Sequence, residues 1–269
     1  ISLAEERSPS SRNRPEPILS RDPLSVSDPP ADPFDLADSS EGPVRRELGP
    51  IPLTILGDIA QRAQLDLTPG DFVWASKGSI MSYSDGIRWR LRVPGGVGGA
   101  VKRSLAGEGV TLTYLEADRP GFVLLAANAP GRIGIWDLAH GPIIATRGSF
   151  LAAWGEHIDI TVTIARRAVA AIFGGAGLFL QKVSGVGHVL IHGSGDFDQR
   201  QLAPGERLLV STGHLAAFSD SIDYDIQGVG GCAKMLFGGE GIFMTRLTGP
   251  GHVMLQSLKR GMAVQTSST

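Results

Sequence analysis

GGEGIFMTRLTGPGHVMLQS, residues 238 to 257, reads as a glycine-rich lead-in, a strand, a tight turn at Gly249-Pro250-Gly251 and a returning strand. Sixty-four residues earlier, GGAGLFLQKVSGVGHVLIHG from Gly174 to Gly193 repeats it, with eight of the twenty positions identical. A more diverged copy runs from Gly107 to Ala126, with its turn at Pro120-Gly121. Self-similarity at a fixed spacing sets the architecture before any single residue points to a chemistry.

Working outward, each copy is preceded by matching punctuation. The turns Thr68-Pro69-Gly70-Asp71, Ala139-His140-Gly141-Pro142 and Ala203-Pro204-Gly205-Glu206 each lead into an apolar run and a further glycine, at Gly78, Gly148 and Gly213. Alternating strands follow at Ile87 to Val93, Ile158 to Ile164 and Ile222 to Ile226. Short helices are expected after them, over Ala100 to Leu105, Arg166 to Phe173 and Cys232 to Phe237. These segments lack alternation, carry Ala, Leu, Lys and Arg, and end at glycines suited to a helix C-cap. The prediction is an all-β body over residues 51–260, built from three repeats at about 53–126, 131–193 and 197–257 with short helical insertions. A tail of residues 261–269 closes the chain.

The first fifty residues differ from the rest. They hold nine of the seventeen prolines, and their apolar residues are scattered. Such a segment buries too little surface to offset its ordering entropy, so 1–50 is expected to be an irregular extension. Phe34 and Leu36, in PADPFDLADS, are its candidate docking residues for a partner surface. The chain opens on Ile1, which points to a processed or truncated N-terminus.

Composition narrows the function. A formal charge of −2 gives no global attraction to nucleic acid or anionic membrane, and no apolar run approaches the roughly 20 residues that cross a bilayer. The single cysteine, Cys232, permits no internal disulfide and no cysteine-based zinc cluster. There is no His-x-His pair, and His188 and His192 would lie ~13 Å apart along a strand, too far to share a metal. Ser194 lacks a Gly-x-Ser-x-Gly elbow, and Gly95 to Gly99 lack the Lys-Ser/Thr of a phosphate loop. No cofactor and no catalytic residue are expected.

The strings FGGEGIFMTRLTGPGHVMLQSLKR, APGERLLVSTGHLAAFSDSIDYDI, RGSFLAAW and GGAVKRSLAGEG resemble signature segments of the altered-inheritance-of-mitochondria (mitochondrial biogenesis) family, over about residues 53 to 260. The resemblance implies a fold similar to the tryptophan RNA-binding attenuation protein, with three short double-stranded β-helix repeats per chain and homotrimers closing a pseudo-ninefold ring. It also implies a mitochondrial setting, in the matrix or peripheral to the inner membrane, with a plastid or bacterial cytoplasm as the alternatives. It brings no catalytic motif.

The expected function is therefore a non-enzymatic, ring-forming scaffold that organises other proteins or a membrane surface. An RNA-binding ring is the alternative. For it, Lys182 and Arg246 fall at matching repeat positions as candidate anion or RNA contacts, and Tyr114 takes the third position. The negative charge and an aromatic content of 6% disfavour nucleic acid, and fold similarity alone transfers no function. For the ring, Arg88 and Arg90 share one strand face and Asp223 and Asp225 share another. They are candidate contacts between successive protomers.

Overall fold

The structure is a computed structural model that describes residues 33–36, 42–92, 112–146, 148–164, 179–228 and 243–260. The strands are β1 (Phe34–Leu36), β2 (Val44–Leu48), β3 (Ile51–Leu56), β4 (Arg62–Leu67), β5 (Phe72–Ala75), β6 (Ile80–Tyr83), β7 (Ile87–Arg92), β8 (Leu112–Ala117), β9 (Gly121–Ala126) and β10 (Gly131–Asp137). They continue as β11 (Ile143–Thr146), β12 (Phe150–Ile164), β13 (Phe179–Ser194), β14 (Phe197–Leu202), β15 (Arg207–Ser211), β16 (Leu215–Ser219), β17 (Asp223–Gly228), β18 (Phe243–Thr248) and β19 (Gly251–Gln256). Single 3-10 turns occur at Leu138–His140 and Thr212–His214. The described residues are nearly all β, as the turn spacing predicts. The expected helical segments lie outside them.

Period-two patterning explains the strands. β3 buries Ile51, Leu53 and Ile55, and the facing β4 buries Ala63, Leu65 and Leu67, while the residues between them stay partly exposed. Three apolar clusters form the interior. One gathers the first third of the chain around Leu53, Leu65 and Leu125, the second holds Trp136, Phe150 and Val189, and the third holds Phe218, Leu247 and Val253. Burying each such side chain contributes about 2 kcal/mol.

The ladders follow one order in each third. β4 pairs with β9, β10 with the C-terminal half of β13, and β14 with β19. The second strands, β5, β11 and β15, pair with β8, the N-terminal half of β13, and β18. The third strands, β6, β12 and β16, pair with β9, the C-terminal half of β13, and β19. The fourth, β7, the end of β12 and β17, return to β8, the start of β13, and β18. An eleven-stranded sheet, a five-stranded sheet (β2-β3-β4-β9-β6) and a three-stranded sheet (β15-β18-β17) result.

Two expectations change. The predicted turns do not close hairpins: β8 and β9 lie in different sheets, as do β18 and β19, so Pro120-Gly121 and Gly249-Pro250-Gly251 carry the chain from one sheet to another. In the middle third there is no break at all, because Gly185-Val186-Gly187 lies inside the sixteen-residue β13. Proline has no N–H for a ladder, whereas Val186 does, and β12 pairs along nearly the whole of β13. Gly155 and Gly187 face each other there at φ +133° and +138°, and a Cβ on either would run into the opposite backbone.

Regular structure also starts earlier than residue 51. β2 extends the five-stranded sheet beyond β3, and β1 adds to β10 with Phe34 opposite Trp136 and Leu36 opposite Gly134. Phe34 is buried with its ring centroid 4.5 Å from that of Trp136. The docking residues thus dock on their own chain.

Candidate functional site

The thirds are joined by two short seams. Ala75 and Trp74 of β5 face Ala152 and Ala153 of β12. Ile143, Ile144 and Ala145 of β11 face Ser219, Phe218 and Ala217 of β16. Each seam sets a second strand against the third strand of the following third. Among the described residues this leaves β6, a third strand, without a partner beyond β9, and β15, a second strand, without one beyond β18.

Burial follows the same division. Leu151 and Phe218, on third strands that have seam partners, are 2% and 0% exposed, whereas Met81 and Tyr83 of β6 are 62% and 40% exposed. On the second strands Ile144 is 8% exposed, and Leu209 of β15 is 59% exposed. Two open edges therefore carry apolar side chains at the positions the chain buries where its own thirds meet. Unpaired edges of this kind template strand addition.

A separate cavity of about 370 Å³ lies where the β2–β3 turn, Leu48 to Ile51, meets β5, β12 and β13. Trp154 and His188 stack in its lining with centroids 5.6 Å apart, and Phe72 adds a third ring. Asp71, Asp137 and Glu156 also line it, and among the described residues no lysine or arginine does. Burial pushes the His188 imidazole below its ordinary range, while Asp137, its neighbour across the β10–β13 ladder, pulls the other way.

The residues singled out from the sequence fall into place as follows. Lys182 pairs with Asp220 at 2.6 Å and Arg246 with Asp225 at 2.9 Å, so both candidate anion contacts hold a carboxylate of their own chain. Arg88 bridges Asp118 at 2.5 Å and approaches Glu116 at 3.8 Å. Arg90 and Asp223 are exposed on β7 and β17, and these two strands end their sheets. Among the described residues no ladder joins one fourth strand to another. The structure thus brings none of the charged candidates together across a seam. The edges went unnoticed because the signal is faint: Ile80-Met81 and Leu208-Leu209-Val210 are apolar on both faces, a mark of strands meant to be covered on both sides.

The model of the mitochondrial biogenesis AIM24 family matches residues 53–258. The chain belongs to this family. An uncharacterized protein of Streptococcus pyogenes serotype M6 is 30% identical over 204 residues, covering 72% of this chain and 80% of that one. The crystal structure of a second Streptococcus pyogenes protein superposes with a TM-score of 0.65 at 26% identity, over 78% of this chain and 94% of the other. The family body is thus present in a bacterium, and the family model leaves β1 and β2 outside its match.

Proposed function

We propose that the chain is a non-enzymatic, self-assembling scaffold whose protomers join head to tail into a homotrimeric ring. The observation that supports this reading is the pair of open edges. Trp74, Ile144 and Leu209 are equivalent, since they face Tyr114, Lys182 and Arg246 on their own ladders. Tyr83, Ala153 and Phe218 are equivalent because they face Val123, Val189 and Val253. Trp74 meets Ala153 and Ile144 meets Phe218, so the third seam sets Leu209 against Tyr83 of the next copy. Val210 then falls opposite Ser82, and Leu208 opposite Ser84.

Such a contact is heterologous, so it closes into a ring or runs on as a filament. The family's mitochondrial association supports a role in organising inner-membrane complexes, and the Streptococcus relatives fit the same body in a bacterial cytoplasm. The RNA-binding alternative loses support, since Lys182 and Arg246 hold internal carboxylates. The test is the mass in solution at micromolar concentration. Three times 28.3 kDa is expected, and a stable monomer would overturn the reading.

A further inference from the structure

We propose that the cavity between the β2–β3 turn and the β12–β13 ladder takes a small organic cation, a protonated amine carried on a flat apolar body. This does not rest on the ring, because the described residues that line the cavity all belong to one chain. The volume of about 370 Å³ falls in the range of small-molecule sites. The body of the ligand would lie against Trp154, Phe72 and Ile51, and its charge would face Asp71, Asp137 and Glu156. Asp71 spends one oxygen, Oδ2, on the backbone N–H and hydroxyl of Thr68, and Asp137 spends Oδ1 on the Ala139 N–H. Among the described residues none of the three carboxylates has an arginine or lysine partner. Burial holds the His188 imidazole below its ordinary range, toward its uncharged form, against the opposing pull of Asp137. No three histidine, cysteine, aspartate or glutamate side chains among the described residues stand close enough to hold a metal ion, which favours an organic cation.

The probes are phenethylamine and 3-phenylpropionate, which share an apolar body and differ in charge, titrated calorimetrically into the full chain at pH 7. Phenethylamine should saturate one site per chain, and 3-phenylpropionate should bind at least about tenfold more weakly, a gap of about 1.4 kcal/mol. Asp137→Asn combined with Glu156→Gln should weaken the amine by about tenfold, while Asp198→Asn on β14, away from the cavity, leaves it unchanged. Val186→Lys places a cation at the mouth on a side chain that is 64% exposed, so it spares the core. It should invert the preference toward 3-phenylpropionate. Should the double carboxylate variant fail to fold, Val186→Lys decides alone. Equal binding of the two probes, no saturation by the amine, or a preference untouched by Val186→Lys would overturn the assignment.

Discussion

Arg260 donates from Nη2 to Nδ1 of the buried His192 at 3.0 Å, and so ties the residues after β19 to the middle of the chain. The same guanidinium donates to Ser149 Oγ at 2.7 Å and to Ser194 Oγ at 3.1 Å. Burial and then the Arg260 charge push the His192 imidazole down to about 4, against a weaker opposing pull from the Ala129 backbone. The folded protein therefore binds fewer protons here than the unfolded chain between pH ~4 and ~6.5, and stability must fall as pH drops through that window. A full shift of this size corresponds to about 3 kcal/mol. Thermal unfolding from pH 7 to 4 should show His192→Gln with a shallower loss than the parent. Parallel curves would contradict a neutral, buried His192.

Gly155 and Gly187 let the backbones of β12 and β13 approach closely where they face each other. A Cβ at Gly155 would lie 2.1 Å from the Val186 carbonyl oxygen, and its φ of +133° is unfavourable for any side chain. Gly155→Ala is expected to cost at least about 2 kcal/mol, read from the denaturation midpoint. A variant as stable as the parent would mean that the strands are further apart there.

Phe34 secures β1 by filling a place beside Trp136, with Arg46 paired to Asp35 at 2.5 Å on the outer side. The exposed ion pair contributes at most about 1 kcal/mol, so the ring carries the attachment. Phe34→Ala should cost about 3 to 5 kcal/mol and lower the Tm by several degrees, whereas Asp35→Asn barely moves it. Similar Tm values for the two variants would show that the segment is not anchored by its ring.

The register between copies admits a chemical test. With Cys232→Ser as background, Leu209→Cys and Tyr83→Cys in one chain should oxidise between copies, since directly opposite strand residues have the ~4–5 Å Cβ separation a disulfide needs. A covalent trimer on a non-reducing gel is expected. Crosslinking from Asp223→Cys with Arg88→Cys, and none from the Leu209 and Tyr83 pair, would move the interface to the fourth strands.

The fold was legible where glycine, proline and alternation coincide. Thr68-Pro69-Gly70-Asp71 does separate β4 from β5, and Gly78 does precede β6. What a single chain's pattern conceals is the partner of each strand. Reversal after Gly187 is expected because nearly the same letters separate two strands before Gly251, yet one valine in place of Pro250 keeps the strand running. The site was less visible still. Arg88, Arg90, Asp223 and Asp225 drew notice because charge stands out in a sequence, while Met81, Tyr83 and Leu209 look like ordinary strand residues until their exposure is known. The cavity gathers Leu48, Asp71, Asp137, Trp154 and His188 from five separate segments, which no local spacing reveals.

The unbroken β13 has a consequence for how the body opens. In the outer thirds Pro120 and Pro250 interrupt the hydrogen-bonded path between two sheets, so β8 and β9, or β18 and β19, belong to ladders that can exchange their amide protons in separate events. In the middle third a single strand serves both, and Gln181 and Leu190 both face β12, on either side of the register shift between Glu156 and Asp159. Their amides should exchange with deuterium together and last, making the centre of the chain the cooperative unit from which fraying on either side begins.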